Sequence, residues 1–394
     1  MIYLNQSLIR KLLCSILILI TFFYAAGQTA FCEEKPPSIN AITAVVIEES
    51  TGRILYNKNA TEKRSIASTT KIMTALVALE NADLDEPVSI SKKAASIGGS
   101  VMGLKTDDNY TFKELLYAML MVSANDAAVA IAEHVGGSLE DFAVMMNKKA
   151  KSIGANNSNF VTPHGLDCAN QYSSAYDVAL ITREALRNPV FAGIVSTYSS
   201  YIPGHSLFNT NELLGVYPGL DGVKTGYTGK AGRCLVTTAK RDGMRVISVV
   251  LGSPTRGARA YASREILDYA FENYKMTKIL DTGDIMASVP IYRGASERVN
   301  LIADDGIMLP LNEQEKTRLK VRKVTPEMLR APVYAGSETG FVEYRLDGEV
   351  IGRSALIVSD NIRKKTYFDY LKSVFGSWSK MMKEGIFADV PAET

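Results

Sequence analysis

Ser68 and Lys71 stand three residues apart in "RSIASTTKIMTAL", at the head of an apolar stretch. On a helix such a pair shares one face, so the lysine amine comes within reach of the serine hydroxyl. A serine hydroxyl is a poor nucleophile until a neighbouring base takes its proton, and a lysine is such a base only when neutral. Serine is also a favoured helix cap, so on this pair alone capping and catalysis both stay open. A second polar cluster, Ser123 and Asn125 of "VSAND", follows Lys71 by 52 residues inside an otherwise apolar helical run. Polar groups buried there need partners, although a helix break would also account for them. A third, Lys224, Thr225 and Gly226, immediately precedes a β-rich run. A solvated strand end would explain Lys224 there equally well. Taken singly each cluster is weak; their order and spacing together point to one nucleophilic site.

The elements around these residues follow from periodicity. "AITAVVIEESTGRILY" (Ala41 to Tyr56) reads as two strands joined at Ser50, Thr51 and Gly52. From Ser68 to about Lys275 the pattern is mostly helical, turns β-like in "RCLVTTAKRDGMRVISVVLG", and ends in the helix "ASREILDYAFENY". Strands at both ends of one segment predict a single α+β domain whose sheet is assembled from both ends. From about Met276 to Ser359 short strands alternate with Gly, Asp and Pro turns, including a hairpin at Asp347 and Gly348, so a small all-β domain is expected. In the tail, Asp360 to Phe387, the residues Tyr367, Leu371, Val374, Phe375, Trp378, Met381 and Met382 recur at helical spacing among Arg363, Lys364, Lys365, Lys372, Lys380 and Lys383. An aromatic face on a basic helix suits a membrane interface; docking on the protein itself is the alternative.

The three clusters resemble the Ser-x-x-Lys, Ser-x-Asn and Lys-Thr-Gly motifs of serine penicillin-binding proteins and class A β-lactamases. The stretches "TPHGLD", "YSSAYDVALI", "NTNELL" and "GLDGVKTGYTGKAGRCLV" are similar, more narrowly, to low-molecular-mass D-alanyl-D-alanine carboxypeptidases, over about residues 38 to 385. That resemblance implies an antiparallel sheet flanked by helices, with the site between sheet and helical lobe. Ser68 would attack the carbonyl between the two terminal D-alanines of a peptidoglycan stem peptide, with Lys71 as base and Ser123 relaying a proton to the leaving amine. Asn125 would hold the Lys71 amine and the substrate amide. Lys224 and Thr225 would bind the terminal carboxylate, with Arg259 of "TRGARA" as a further anchor, and Gly226 would allow close approach. The backbone N–H groups of Ser68 and Tyr227 would form the oxyanion hole. Several relatives carry histidine where this chain has Tyr227. β-Lactam antibiotics are expected inhibitors. A β-lactamase is the alternative enzyme, but its Glu-x-x-x-Asn loop is not evident; a scaffold without catalysis would have lost Ser68 or Lys71.

The chain of 394 residues has a net charge of +2, which gives no footprint for nucleic acid. Arg10 and Lys11 ahead of the charge-free run Leu12 to Ala26 predict an export signal over residues 1–30, cut between Gly27 and Phe31. The mature protein is then expected outside the cytoplasm, at the outer face of the membrane. Four cysteines, Cys14, Cys32, Cys168 and Cys234, do not make a disulfide scaffold. His134, His164 and His205 lack metal-ligand spacing, so neither a metal nor another cofactor is expected; His164 is read as organising its own loop. The expected organisation is a peptidase domain over 38–275, a β domain over 276–359 and an amphipathic helix over 360–387.

Overall fold

The computed structural model describes residues 35–383. The expected export segment, with Cys14 and Cys32, and the tail beyond residue 383, with Phe387, lie outside the described residues. From Pro37 onward the described residues form one compact unit.

Strands β1 (Thr43–Glu48) and β2 (Ile54–Lys58) pair antiparallel with Val46 opposite Tyr56. Their turn falls where the sequence places it. The Glu48 carboxylate accepts from the backbone and side chains of Ser50 and Thr51, and Gly52 takes φ +74°. Three later strands, β3 (Leu220–Thr228), β4 (Gly232–Arg241) and β5 (Met244–Ser253), complete an antiparallel sheet in the order β2-β1-β5-β4-β3. The sheet is therefore built from both ends of the segment, and β3 is an edge strand.

Because strand side chains alternate, each face of this sheet buries its own set. Val45, Ile47, Val236, Ile247 and Val249 pack against the helical lobe, whereas Ala44, Val46, Leu235, Val246 and Val250 pack against the other side. The lobe centres on helix α1 (Lys71–Leu79), buried from Lys71 through Ala78. Around it stand α2 (Phe112–Met121), α3 (Asn125–Gly136), α4 (Leu139–Ser152) and α5 (Ala175–Leu186). A capping box of Thr111 and Glu114 starts α2, and Gly137 at φ +74° ends α3. Helix α6 (Arg256–Asn273) covers the far face through Ala262, Ile266, Leu267 and Ala270.

Two details differ from the sequence reading. Lys224, Thr225 and Gly226 lie inside β3 rather than ahead of a strand. The segment read as mostly helical also contains a hairpin, Ser199–Ile202 with His205–Phe208, turning at Pro203 and Gly204.

Beyond α6, six strands form a second sheet, and Lys275–Leu280 pairs with Ile307–Leu311 around a core of Leu301, Leu309, Val342 and Leu356. The hairpin at Asp347 and Gly348 is present, with both residues at positive φ. This region is not wholly β. Asn312 and Glu315 form a capping box on a short helix, Glu313–Arg318, and Glu315 pairs with Arg53 of the sheet domain. Arg53 also donates to the Pro310 carbonyl, so one side chain ties the two regions together. The tail helix α7 (Tyr367–Lys383) follows two bridges, Val333 with Ile362 and Gly294 with Lys364, and leaves Tyr367, Phe368, Val374, Phe375 and Trp378 exposed.

Candidate active site

The chain reaches Ser68 through a strained turn. Ala67 sits at φ +48°, and a 3-10 turn, Ala67–Thr70, leads into α1. Thr69 and Thr70 donate their hydroxyls back to the carbonyls of Ile66 and Ala67, which holds the turn shut. Ser68 caps nothing; the residue capping this turn is Ile66 and that capping α1 is Thr70, neither through a side chain. The capping reading of Ser68 is thereby set aside.

Lys71 is wholly buried, and its amine has three neighbours: Ser68 Oγ at 3.0 Å, Asn125 Oδ1 at 2.7 Å and the His164 carbonyl at 2.9 Å. Asn125 has its orientation fixed by donating Nδ2 to the Gly98 carbonyl at 2.7 Å, so its oxygen faces Lys71. Two of the three neighbours can only accept. A neutral amine has two hydrogens and one lone pair. In that neutral form the hydrogens go to Asn125 and His164 and the lone pair is left for the one partner able to donate, the Ser68 hydroxyl, whereas a charged amine would donate to all three. Burial holds the Lys71 pKa well below the usual lysine value, and the charge of Lys224 pushes the same way against the smaller opposing pull of Asp126.

Lys224 is also buried, donating only to the Thr225 carbonyl at 3.1 Å among the described residues. Burial and the nearby Arg259 bring its pKa down to about 7. Thr225 meets the Thr210 hydroxyl at 2.8 Å, and Thr210 N–H donates to the Met121 carbonyl, so β3 is stitched to the end of α2. At Gly226 a Cβ would stand 3.0 Å from the Ser68 amide nitrogen and 3.2 Å from the Ala67 Cβ. Glycine here lets the strand edge and the Ser68 turn face each other directly. Tyr227, next along, is 55% exposed.

Ser123 marks the break between α2 and α3. It is buried, at φ +67°, and its hydroxyl makes no hydrogen bond among the described residues. The helix-break reading holds for it, and its hydroxyl is left without a structural task among the described residues. Arg259 stands apart from the expected anchor role. It is buried in the first turn of α6, its Nε and Nη2 grip the Glu212 carboxylate at 2.7–3.0 Å, and Nη1 donates to the Cys234 carbonyl. Its charge acts on Lys224, but its fork is already occupied by Glu212.

Several contributors were not read from the sequence. The His164 ring accepts the Leu166 N–H on Nδ1, which organises its loop as expected, but its carbonyl also holds Lys71. Burial and Lys71 bring the ring's pKa to about 4. A Cβ on Gly165, at φ +83°, would meet the Ala67 carbonyl oxygen at 2.0 Å, so any side chain there displaces the Ser68 turn. Asp126 accepts from the backbone of Met102, Gly103 and Leu104, pinning the loop whose Gly98 orients Asn125. An acid within an apolar run was the available signal for it. Cys168 and Cys234 are both free.

An antiparallel sheet covered by helices, with a Ser-Lys pair facing the edge strand, is the mixed α/β penicillin-binding protein fold. Penicillin-binding protein 5 from Haemophilus influenzae superposes with a TM-score of 0.74 at 33% identity, covering 84% of this chain and 99% of that one. A family model described as D-alanyl-D-alanine carboxypeptidase matches residues 30–255, and one for the C-terminal domain of penicillin-binding protein 5 matches 274–364. The D-alanyl-D-alanine carboxypeptidase DacF of Bacillus subtilis is 35% identical over 390 residues, spanning 94% of this chain and 99% of its own. DacA of Escherichia coli is 33% identical over 87% of this chain and 89% of its own. The chain belongs to the D-alanyl-D-alanine carboxypeptidase family.

Proposed function

We propose that this protein is an exported serine carboxypeptidase that removes the terminal D-alanine from peptidoglycan stem pentapeptides through a Ser68 acyl-enzyme, and so limits cross-linking. The observation that carries the reading is the Lys71 amine, whose two obligatory acceptors leave its lone pair to the Ser68 hydroxyl. Lys71 takes the proton as Ser68 attacks the carbonyl of the penultimate D-alanine. Negative charge develops on that carbonyl oxygen beside the N–H groups of Ser68 and Tyr227. Ser123, whose hydroxyl is uncommitted, passes a proton to the departing D-alanine amine. Asn125, itself anchored to the Gly98 carbonyl, keeps Lys71 in place. Lys224 and Thr225 take the terminal carboxylate, with Arg259 adding positive field at that end rather than a contact, although the same field lowers the Lys224 pKa. Water then cleaves the ester, activated by Lys71 or Ser123. The peptidase work is assigned to residues 38–275, with a β domain over 276–359 and 360–387 as the membrane-surface element.

The test is D-alanine release from a diacyl-Lys-D-Ala-D-Ala peptide beside the decay of the penicilloyl adduct. A penicilloyl ester keeps its leaving amine tethered in the water path, and in the segment between the second and third motifs the His164 ring is committed to its own loop and the exposed Asp167 carboxylate to the Thr228 hydroxyl. Drug hydrolysis should be at least about a hundredfold slower than peptide turnover, roughly 2.7 kcal/mol of barrier. Comparable rates, or rapid drug hydrolysis without D-alanine, would mean a β-lactamase.

Two further outcomes are expected. The first is a bell-shaped pH dependence of kcat/KM. On the acid side kcat falls as Lys71 gains the proton that removes its lone pair. On the alkaline side KM rises above about pH 7 as Lys224 loses its charge, a loss that bound substrate postpones because its carboxylate stabilises the charged form. His164, neutral above about pH 4, adds no step near neutrality. A KM that is flat to about pH 9 would remove Lys224 from carboxylate binding.

The second concerns α7, whose exposed aromatic face and basic residues suit an anionic bilayer surface, each cation near it contributing ~1 kcal/mol. Among the described residues no helix is long and apolar enough to cross a membrane. Deleting Tyr367 to Thr394, which spares the Ile362 and Lys364 bridges, should abolish vesicle co-sedimentation at low salt. Mature full-length protein that never sediments would contradict the anchor.

A further inference from the structure

β3 is an edge strand, so a peptide lying in the groove can add to its free side as an extra strand. Resting on the carboxypeptidase reading above, the direction of that peptide is fixed. Its terminal carboxylate lies at Lys224 and Thr225 and its scissile carbonyl at Ser68 and the Tyr227 N–H. Upstream residues must then run on past Tyr227 toward Thr228. At about 3.3 Å per residue, the residue before the two alanines falls one or two positions further on, beside the open end of β3.

Arg233 occupies that end. It pairs across the sheet with Tyr227, and its guanidinium carbon sits 3.6 Å from the centroid of the Tyr227 ring. Among the described residues its guanidinium makes no hydrogen bond and no ion pair, although the Asp167 carboxylate comes as close as the next residue of β3, where it accepts from the Thr228 hydroxyl. This contrasts with Arg259, whose fork is filled by Glu212, and Arg245, which pairs with Asp221. Stacking fixes the plane of a guanidinium while leaving its in-plane donors available, the geometry that receives a carboxylate in two parallel bonds. Strands lie about 4.8 Å apart, so a peptide added to β3 runs about 10 Å from the β4 backbone, a span that an arginine and one substrate side chain cover from the two sides.

We propose that Arg233, held flat on Tyr227, is a specificity residue that receives a side-chain carboxylate on the residue preceding the terminal D-Ala-D-Ala, so that the preferred stem peptide carries a diamino-dicarboxylic acid there rather than a plain lysine. Tyr227, standing where several relatives have histidine, supplies the platform.

The test compares D-alanine release from two diacyl peptides that differ only at that residue, one with acetylated lysine and one with a side chain of equal reach ending in a carboxylate. The full mature chain should favour the carboxylate peptide about tenfold in kcat/KM at low salt, and less at high salt, since an exposed charge pair is screened. In Arg233→Gln the ratio should fall to near one, and Arg233→Glu should invert it. Arg233→Lys should keep part of it, because charge survives while the planar fork is lost. Melting curves confirm that each variant is folded. Equal turnover of the two peptides by the wild-type protein, or a preference that persists in Arg233→Gln, would overturn the assignment. Failure of the carboxypeptidase reading looks different, with no D-alanine from either peptide, and takes this inference with it.

Discussion

Ser68→Ala should lower kcat for D-alanine release by about 10^4-fold or more, leaving at most the residual rate that binding and the oxyanion donors sustain. Methyl for hydroxymethyl removes one oxygen and little else. The turn around it is held by Thr69 and Thr70 through their own hydroxyls and by Gly165 packed on Ala67, none of which needs Ser68. The melting temperature should therefore move little, and substrate binding, which the proposed function places on Lys224 and Thr225, should persist. Turnover within a hundredfold of wild type would mean that another group is the nucleophile.

Lys71 allows a sharper separation of roles. A buried amine could help as a positive charge or as a proton acceptor, and the two make opposite demands on its protonation. Lys71→Arg keeps charge and donors but has no accessible lone pair, because a guanidinium stays protonated in proteins. Lys71→Met keeps approximate volume and loses both, leaving Asn125 Oδ1 and the His164 carbonyl unpaired. If Lys71 is the base, both variants should lose at least about 10^3-fold in the rate of acylation, near the range assigned to general-base catalysis. If it serves as a charge, the arginine variant should retain most activity while the methionine variant does not. Lys71→Met should also lower stability, since unpaired buried carbonyl acceptors cost about 1–3 kcal/mol each.

What the sequence made legible was a set of polar side chains that the fold brings together. Ser68, Lys71, Asn125 and Lys224 are polar residues in apolar surroundings, and polarity without a structural reason is visible in a string of letters. The hairpins at Gly52 and at Asp347 and Gly348 were legible for the same reason, since turn residues interrupt β-branched runs. Contributions made through backbone were not. The His164 carbonyl that orients Lys71 carries no trace in the residue's identity, and Gly165 is required only because Ala67 passes 2.0 Å from where a Cβ would be. The placement of Lys224 inside β3 was hidden because glycine and lysine are weak strand formers, and sheet context overrides that preference. The hairpin turning at Pro203 and Gly204 carried a Pro-Gly signal between aromatic runs, outweighed by the helical pattern around it. The ion pair of Arg259 was hidden because its type and position suit an anion, while its partner Glu212 lies far away in the sequence.

The central claim, that this chain transfers acyl groups through Ser68, is tested most directly by locating the covalent adduct formed with penicillin. A strained β-lactam amide presents its carbonyl where the D-Ala-D-Ala carbonyl would lie, so one equivalent should add its mass to a single peptide containing Ser68 and stay there while the D-alanine activity is lost. An adduct on a different peptide, or a protein that gains no mass at all, would contradict the account.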